Sequence, residues 1–165
     1  MEQEAQSVKK LVLVVCTGNI CRSPMAAGLL RRRLAEAGLA GEVEVASRGV
    51  YALDGQPASA AAVSLLGEYG VDITRHAAAS LTVDDLRRAS VVLVMEEAHR
   101  RSIFHTAPEQ MHKVMLWTEL AGEHGDVPDP YGRDRAAYAT SYALIDRLLT
   151  QGWPRLMEKL GYPSA

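Results

Sequence analysis

Apolar positions along this chain follow two rhythms, short unbroken runs and longer stretches that repeat at helical spacing. "KLVLVV" (10–15) and "VVLVM" (91–95) are continuous and rich in β-branched residues, the pattern of strands buried on both faces of a parallel sheet. "EVEVAS" (42–47) alternates as a second strand, and "KVMLW" (113–117) supplies a fourth. Between the first two runs, "SPMAAGLLRRRLAEAG" (23–38) predicts a helix. Met25, Leu29, Leu30, Leu34 and Ala37 share a face, Ser23 caps the start, Pro24 suits the first helical position, and Gly38 stops it. Further helices are predicted over 58–70, ending at Gly70, and over 82–89, where Thr82 and Asp85 have capping-box spacing. Two more are expected over 96–104 and 135–149, with a Gly-, Pro- and Asp-dense loop over 118–134. This alternation predicts an α/β fold: a single-domain three-layer sandwich with a four-stranded parallel sheet and helices on both faces. No internal repeat or low-complexity tract interrupts it.

Length and composition narrow the picture. A chain of 165 residues that is 48% hydrophobic can bury one sizeable core, so a single domain over 1–165 is expected, with a polar, disordered leader over 1–8. A formal net charge of -2 argues against nucleic-acid or acidic-membrane partners, which demand a basic excess. The apolar runs are too short for a signal-peptide core or a membrane span, and a cytoplasmic location is expected. Cys16 and Cys21 are too few for a disulfide framework or a four-ligand zinc site, which makes them candidates for chemistry.

Both cysteines fall in "CTGNICRSPMA" (16–26), between the end of the first strand and the start of the first helix. Ligands of open parallel sheets bind beyond the strands' carboxyl ends, where this segment lies. Five residues separate Cys16 from Arg22, so a loop curled around an anion puts the thiol at its centre and the guanidinium on its rim. The guanidinium's fork of donors fits two phosphate oxygens at once, which a lysine cannot do. Gly18 permits close backbone approach and Asn19 tolerates a left-handed conformation. Successive amides and the helix terminus then form a positive nest that favours thiolate over thiol. The motif is not a nucleotide-binding GxxxxGK loop.

"VCTGNICRSPMA" resembles the signature of the low-molecular-weight protein tyrosine phosphatases and of their bacterial protein-arginine-phosphatase relatives. "SRGVYALDGQPAS", "ITRHAAASLT", "ASVVLVMEEAH" and "GDVPDPYG" extend the resemblance over nearly the whole chain. It implies a phosphate-binding loop of Thr17, Gly18, Asn19, Ile20, Cys21 and Ser23, with Cys16 as nucleophile, Arg22 as phosphate clamp and Asp129 as general acid. It also implies that Ser23 bonds the thiolate, that Asn19, Ser47 and His76 brace the loop, and that Ile20 and Tyr131 line the substrate cleft. No metal or cofactor is implied. The expected partners are phosphorylated proteins, acted on by a monomer.

The sequence pulls two ways on substrate. The flanking segments resemble the arginine-phosphatase branch, yet that branch usually carries threonine where this chain has Ile20, and a branched alkyl wall favours a phenyl ring. Phosphotyrosine is therefore expected, with phosphoarginine as the alternative. A silent phosphate binder is disfavoured by the presence of both Cys16 and Asp129. Arsenate reduction is disfavoured because no downstream cysteine follows Cys21. Cys21 is either a trap for oxidised Cys16 or a small buried filler. Among departures from the family pattern, Arg48 replaces a small residue and is read as attracting anions or lying in solvent. "MEEAH" reads as neutral drift at a helix start, and Ala27 stands where glutamate is frequent. Of the remaining histidines, His99, His105, His112 and His124 are expected at the surface or as caps, and "RRR" (31–33) as a solvated helix face.

Overall fold

The computed structural model describes residues 8–163; the expected leader thus lies, but for Val8, outside the described residues. Four parallel strands, β1 (Lys10–Cys16), β2 (Val43–Gly49), β3 (Val91–Val94) and β4 (Val114–Leu116), form one sheet in the order β2-β1-β3-β4. Strand β1 is central, with Val12 opposite both Val45 and Val91. Its alternation assigns side chains to two cores. Val12, Val14 and Cys16 face α1 (Arg22–Glu36), α2 (Ala60–Glu68) and α5 (Arg135–Lys159). Leu11, Leu13 and Val15 pack with Leu86 of α3 (Val83–Arg88) and Ile103 of α4 (Glu97–Thr106). The expected α/β sandwich with helices on both faces is the fold observed.

Four local expectations are revised. Helix α1 begins at Arg22, so Cys21 is its cap, Pro24 its third residue, and Ser23 is released from capping for other use. The predicted fourth strand loses both ends, its first residue to a 3₁₀ turn over Pro108–Lys113 and its last to another over Trp117–Ala121. That second turn also orders part of the expected loop. The last helix continues ten residues past 149, through Gly152 and Pro154, because Leu156 and Met157 extend its buried face. Gly152 is required there, since a Cβ would lie 2.4 Å from Leu120 Cβ. The three arginines form an exposed to half-buried face that also reaches back to the fold, rather than a purely solvated one. Arg31 Nη2 donates to the Val45 carbonyl at 2.9 Å, and Arg33 donates to Thr150 Oγ1 at 2.7 Å.

Candidate active site

Residues 16–22 leave the carboxyl end of the central strand and turn into α1. The turn depends on Asn19, the one non-glycine residue with positive φ (57°) among the described residues. Such a conformation is tolerable for asparagine and is held here by both polar ends of its side chain and by its carbonyl. Its Nδ2 donates to Ser23 Oγ (2.8 Å) and Ser47 Oγ (2.9 Å), and its Oδ1 accepts from the Ala79 amide (2.9 Å). Its carbonyl accepts from His76 Nε2 at 2.6 Å. Asn19 and Ser23 are fully buried, so losing any of these bonds would leave a dry polar atom. Gly49, paired with Cys16 at the end of β2, lets the loop close: a Cβ there would lie 2.5 Å from the Thr17 carbonyl oxygen.

This network gives Ser23 a direction. Its oxygen accepts from the Asn19 amide, and its hydroxyl hydrogen is free to be donated to Cys16 Sγ, 2.9 Å away. A donor aimed at sulfur favours the thiolate. Cys21 faces differently. Its thiol contacts Tyr138 Oη (3.3 Å) and Ser59 Oγ (3.6 Å), and burial pushes its pKa up, while burial holds the Tyr138 phenol at about 12. The two cysteines of one loop therefore have opposite surroundings; both are free thiols.

Arg22, 1% exposed, is anchored on one side only. Nη1 donates to the Val127 carbonyl at 2.8 Å and pairs with Glu96 at 2.6 Å. Nη2 has only long contacts, 3.4 Å to Thr17 Oγ1 and 3.5 Å to Asp129. The guanidinium is thus fixed through one nitrogen while the other faces the loop. Asp129 is held by its own turn, accepting from the Tyr131 amide at 3.1 Å. Cys16, Thr17, Gly18, Ile20, Cys21, Arg22, Asp129 and Tyr131 all line one cleft of about 230 Å³, with Tyr51, Leu53 and Gln56 on its rim. Asn19, Ser23, Ser47 and His76 lie behind the loop.

The family description "Low molecular weight phosphotyrosine protein phosphatase" matches residues 11–161. The chain belongs to this family. The low molecular weight protein-tyrosine-phosphatase Etp of Escherichia coli K12 is 36% identical over 148 residues, 90% of this chain and 95% of that one. Among solved structures, the low molecular weight protein tyrosine phosphatase of T. tengcongensis superposes with a TM-score of 0.83 at 41% identity, covering 92% of this chain and 99% of its own. The YwlE arginine phosphatase of Geobacillus stearothermophilus gives 0.82 at 32% identity, covering 94% and 99%.

Glu96 and Arg48 differ from expectation, and His99 adds a contact to its expected capping role. Glu96, expected to be neutral drift, is the ion-pair partner of Arg22. His99, expected at the surface or as a cap, does cap α4, its Nδ1 accepting the Glu96 amide, but it is 2% exposed and its Nε2 also lies 2.8 Å from Thr17 Oγ1. The available signal was position, since polar side chains directly after a buried parallel strand project over the site at its carboxyl end. Arg48 neither awaits anions nor lies in solvent: its Nε donates to Asp85 at 3.0 Å.

Burial pushes the His99 pKa down to about 4, against the nearby Glu96 carboxylate, which acts upward. An unfolded histidine titrates near 6.5, so between these values the unfolded chain binds a proton that the native chain does not. The ring's contribution is complete above pH 6.5 and falls as pH drops towards 4, by at most about 1.4 kcal/mol per pH unit. Urea unfolding at pH 7 and pH 5 should therefore show an acid-side loss that is smaller in His99→Gln.

Proposed function

We propose that this protein is a cysteine-dependent protein tyrosine phosphatase that hydrolyses phosphotyrosine through a cysteinyl-phosphate intermediate. The observation that carries this reading is the convergence of Cys16 Sγ, the Nη2 side of Arg22 and the Asp129 carboxyl on one cleft. Cys16 thiolate attacks phosphorus, forming an S–P bond as the P–O bond to the phenol breaks. Asp129 gives its proton to the departing oxygen. Water then attacks phosphorus and yields a proton to the Asp129 carboxylate. The S–P bond breaks, and inorganic phosphate leaves with the thiolate restored. Arg22 and the loop amides hold the equatorial oxygens throughout. Ser23 supports the thiolate, and Asn19, Ser47 and His76 keep the loop in its strained turn.

Phosphotyrosine is favoured by the walls. Ile20 lines the cleft, and Tyr51, Leu53 and Tyr131, 82%, 67% and 65% exposed, offer apolar surface at its mouth for a phenyl ring. The close likeness to an arginine phosphatase supports a second reading, phosphoarginine hydrolysis on the same loop. Turnover of phosphotyrosine and phosphoarginine peptides by the parent and by Ile20→Thr decides between them. The parent should prefer phosphotyrosine, and the substitution should move the ratio towards phosphoarginine by about tenfold, the scale of a small change in pocket lining. An unchanged ratio would show that residue 20 does not set selectivity.

The chain works as a single domain and a monomer, in the cytoplasm of a bacterium, on phosphorylated proteins. Relatives from bacteria named protein-tyrosine-phosphatases support the bacterial source and the phosphorylated protein substrates.

A further inference from the structure

We propose that His99 is a positioning residue for the phosphate clamp, a neutral imidazole whose two nitrogens fix two of the groups that hold Arg22, Thr17 and Glu96. The tautomer follows from geometry. The Glu96 backbone N–H can only donate, and it lies 3.1 Å from Nδ1, so Nδ1 carries the lone pair and Nε2 the hydrogen. Nε2–H then donates to Thr17 Oγ1 at 2.8 Å. Thr17 Oγ1 in turn accepts from Arg22 Nη2 at 3.4 Å, and the Glu96 carboxylate holds Arg22 Nη1 at 2.6 Å. One ring therefore sets the oxygen that steers the phosphate-facing nitrogen and the backbone of the residue that anchors the other. Four charged groups act on the ring: Glu96, Arg22, Asp126 and Asp129. A second proton on Nδ1 would oppose two donors, which the site disfavours.

This assignment deepens the phosphatase reading and rests on it, and the two ends of the ring can be cut separately. His99→Asn keeps an acceptor near Nδ1 for the Glu96 amide but is too short to reach Thr17. His99→Gln places its amide where Nε2 was and gives up the Nδ1 contact. With inorganic phosphate as competitive inhibitor of aryl phosphate hydrolysis, His99→Asn should weaken phosphate binding by about fivefold, the cost of one hydrogen bond. His99→Gln, which gives up only the bond from the Glu96 amide, should weaken it by a smaller factor, about two- to threefold. In a Thr17→Val background, the Asn substitution should add nothing further.

Phosphate affinity in His99→Asn equal to that of the parent would overturn the proposal. So would losses in both variants that track melting temperature rather than the end of the ring retained, or additivity with Thr17→Val. A parent protein that binds no phosphate would instead sink the phosphatase reading itself.

Discussion

Cys16→Ser should lower turnover of an aryl phosphate by at least about 10⁴-fold and leave phosphate binding intact. Cys16 Sγ is the nucleophile of the proposed reaction, and the Ser23 hydroxyl lies 2.9 Å from it. A serine hydroxyl there has no base in contact to remove its proton, since its side-chain neighbour is Ser23, itself an unionised hydroxyl. The anion site is otherwise untouched. Arg22 stays tethered by Val127 and Glu96, and the loop stays folded around Asn19. Removing a negative sulfur from beneath the phosphate also removes a repulsion, so titration calorimetry with inorganic phosphate should show affinity equal to or above the parent's. Residual hydrolysis near the parent's rate would mean that the nucleophile lies elsewhere.

Asp129→Asn should lower kcat by about 10²- to 10⁴-fold for phosphotyrosine, or about 3–5 kcal/mol of barrier, with little change in inhibition by phosphate. The substitution is nearly silent structurally. An asparagine Oδ1 accepts from the Tyr131 amide as the aspartate does, so the turn persists, and the Arg22 contact it removes is a long one at 3.5 Å. What is lost is the proton. A substrate whose leaving group is a stable anion, such as a nitrophenolate, needs that proton less in the first step, so the defect should shrink with leaving-group acidity. A defect equal across a series of substituted phenyl phosphates would assign Asp129 a role other than acid.

The sheet and the chemical loop were legible in the sequence because each rests on short-range pattern. Continuous β-branched runs fix buried parallel strands, and the spacing from Cys16 to Arg22 fixes a turn around an anion. What escaped depends on distant partners. Nothing near Glu96 in the chain points to Arg22, 74 positions away by subtraction, and His99 carries no ligand-like spacing because its partner Thr17 lies on another strand's loop. The start of α1 was misplaced for a related reason. Ser23-Pro24 has the appearance of a cap and first turn, but the tertiary demand of the sulfur and of Asn19 draws that serine inside the helix. The end of α5 was cut short because Gly152 and Pro154 weaken local propensity, whereas Leu120 packing against Gly152 and burial of Leu156 override it.

Strand β1 is flanked on both sides, so the backbone that delivers residue 16 cannot loosen without rupture of the whole layer. Tyr51, Leu53 and Tyr131 hang instead on irregular chain at the margin, where side chains change at small energetic expense. Ile20 apart, which sits in the loop itself, reactivity and preference are thereby separable inheritances: descendants of this protein are free to exchange one clientele for another while the bond-breaking apparatus stays the same.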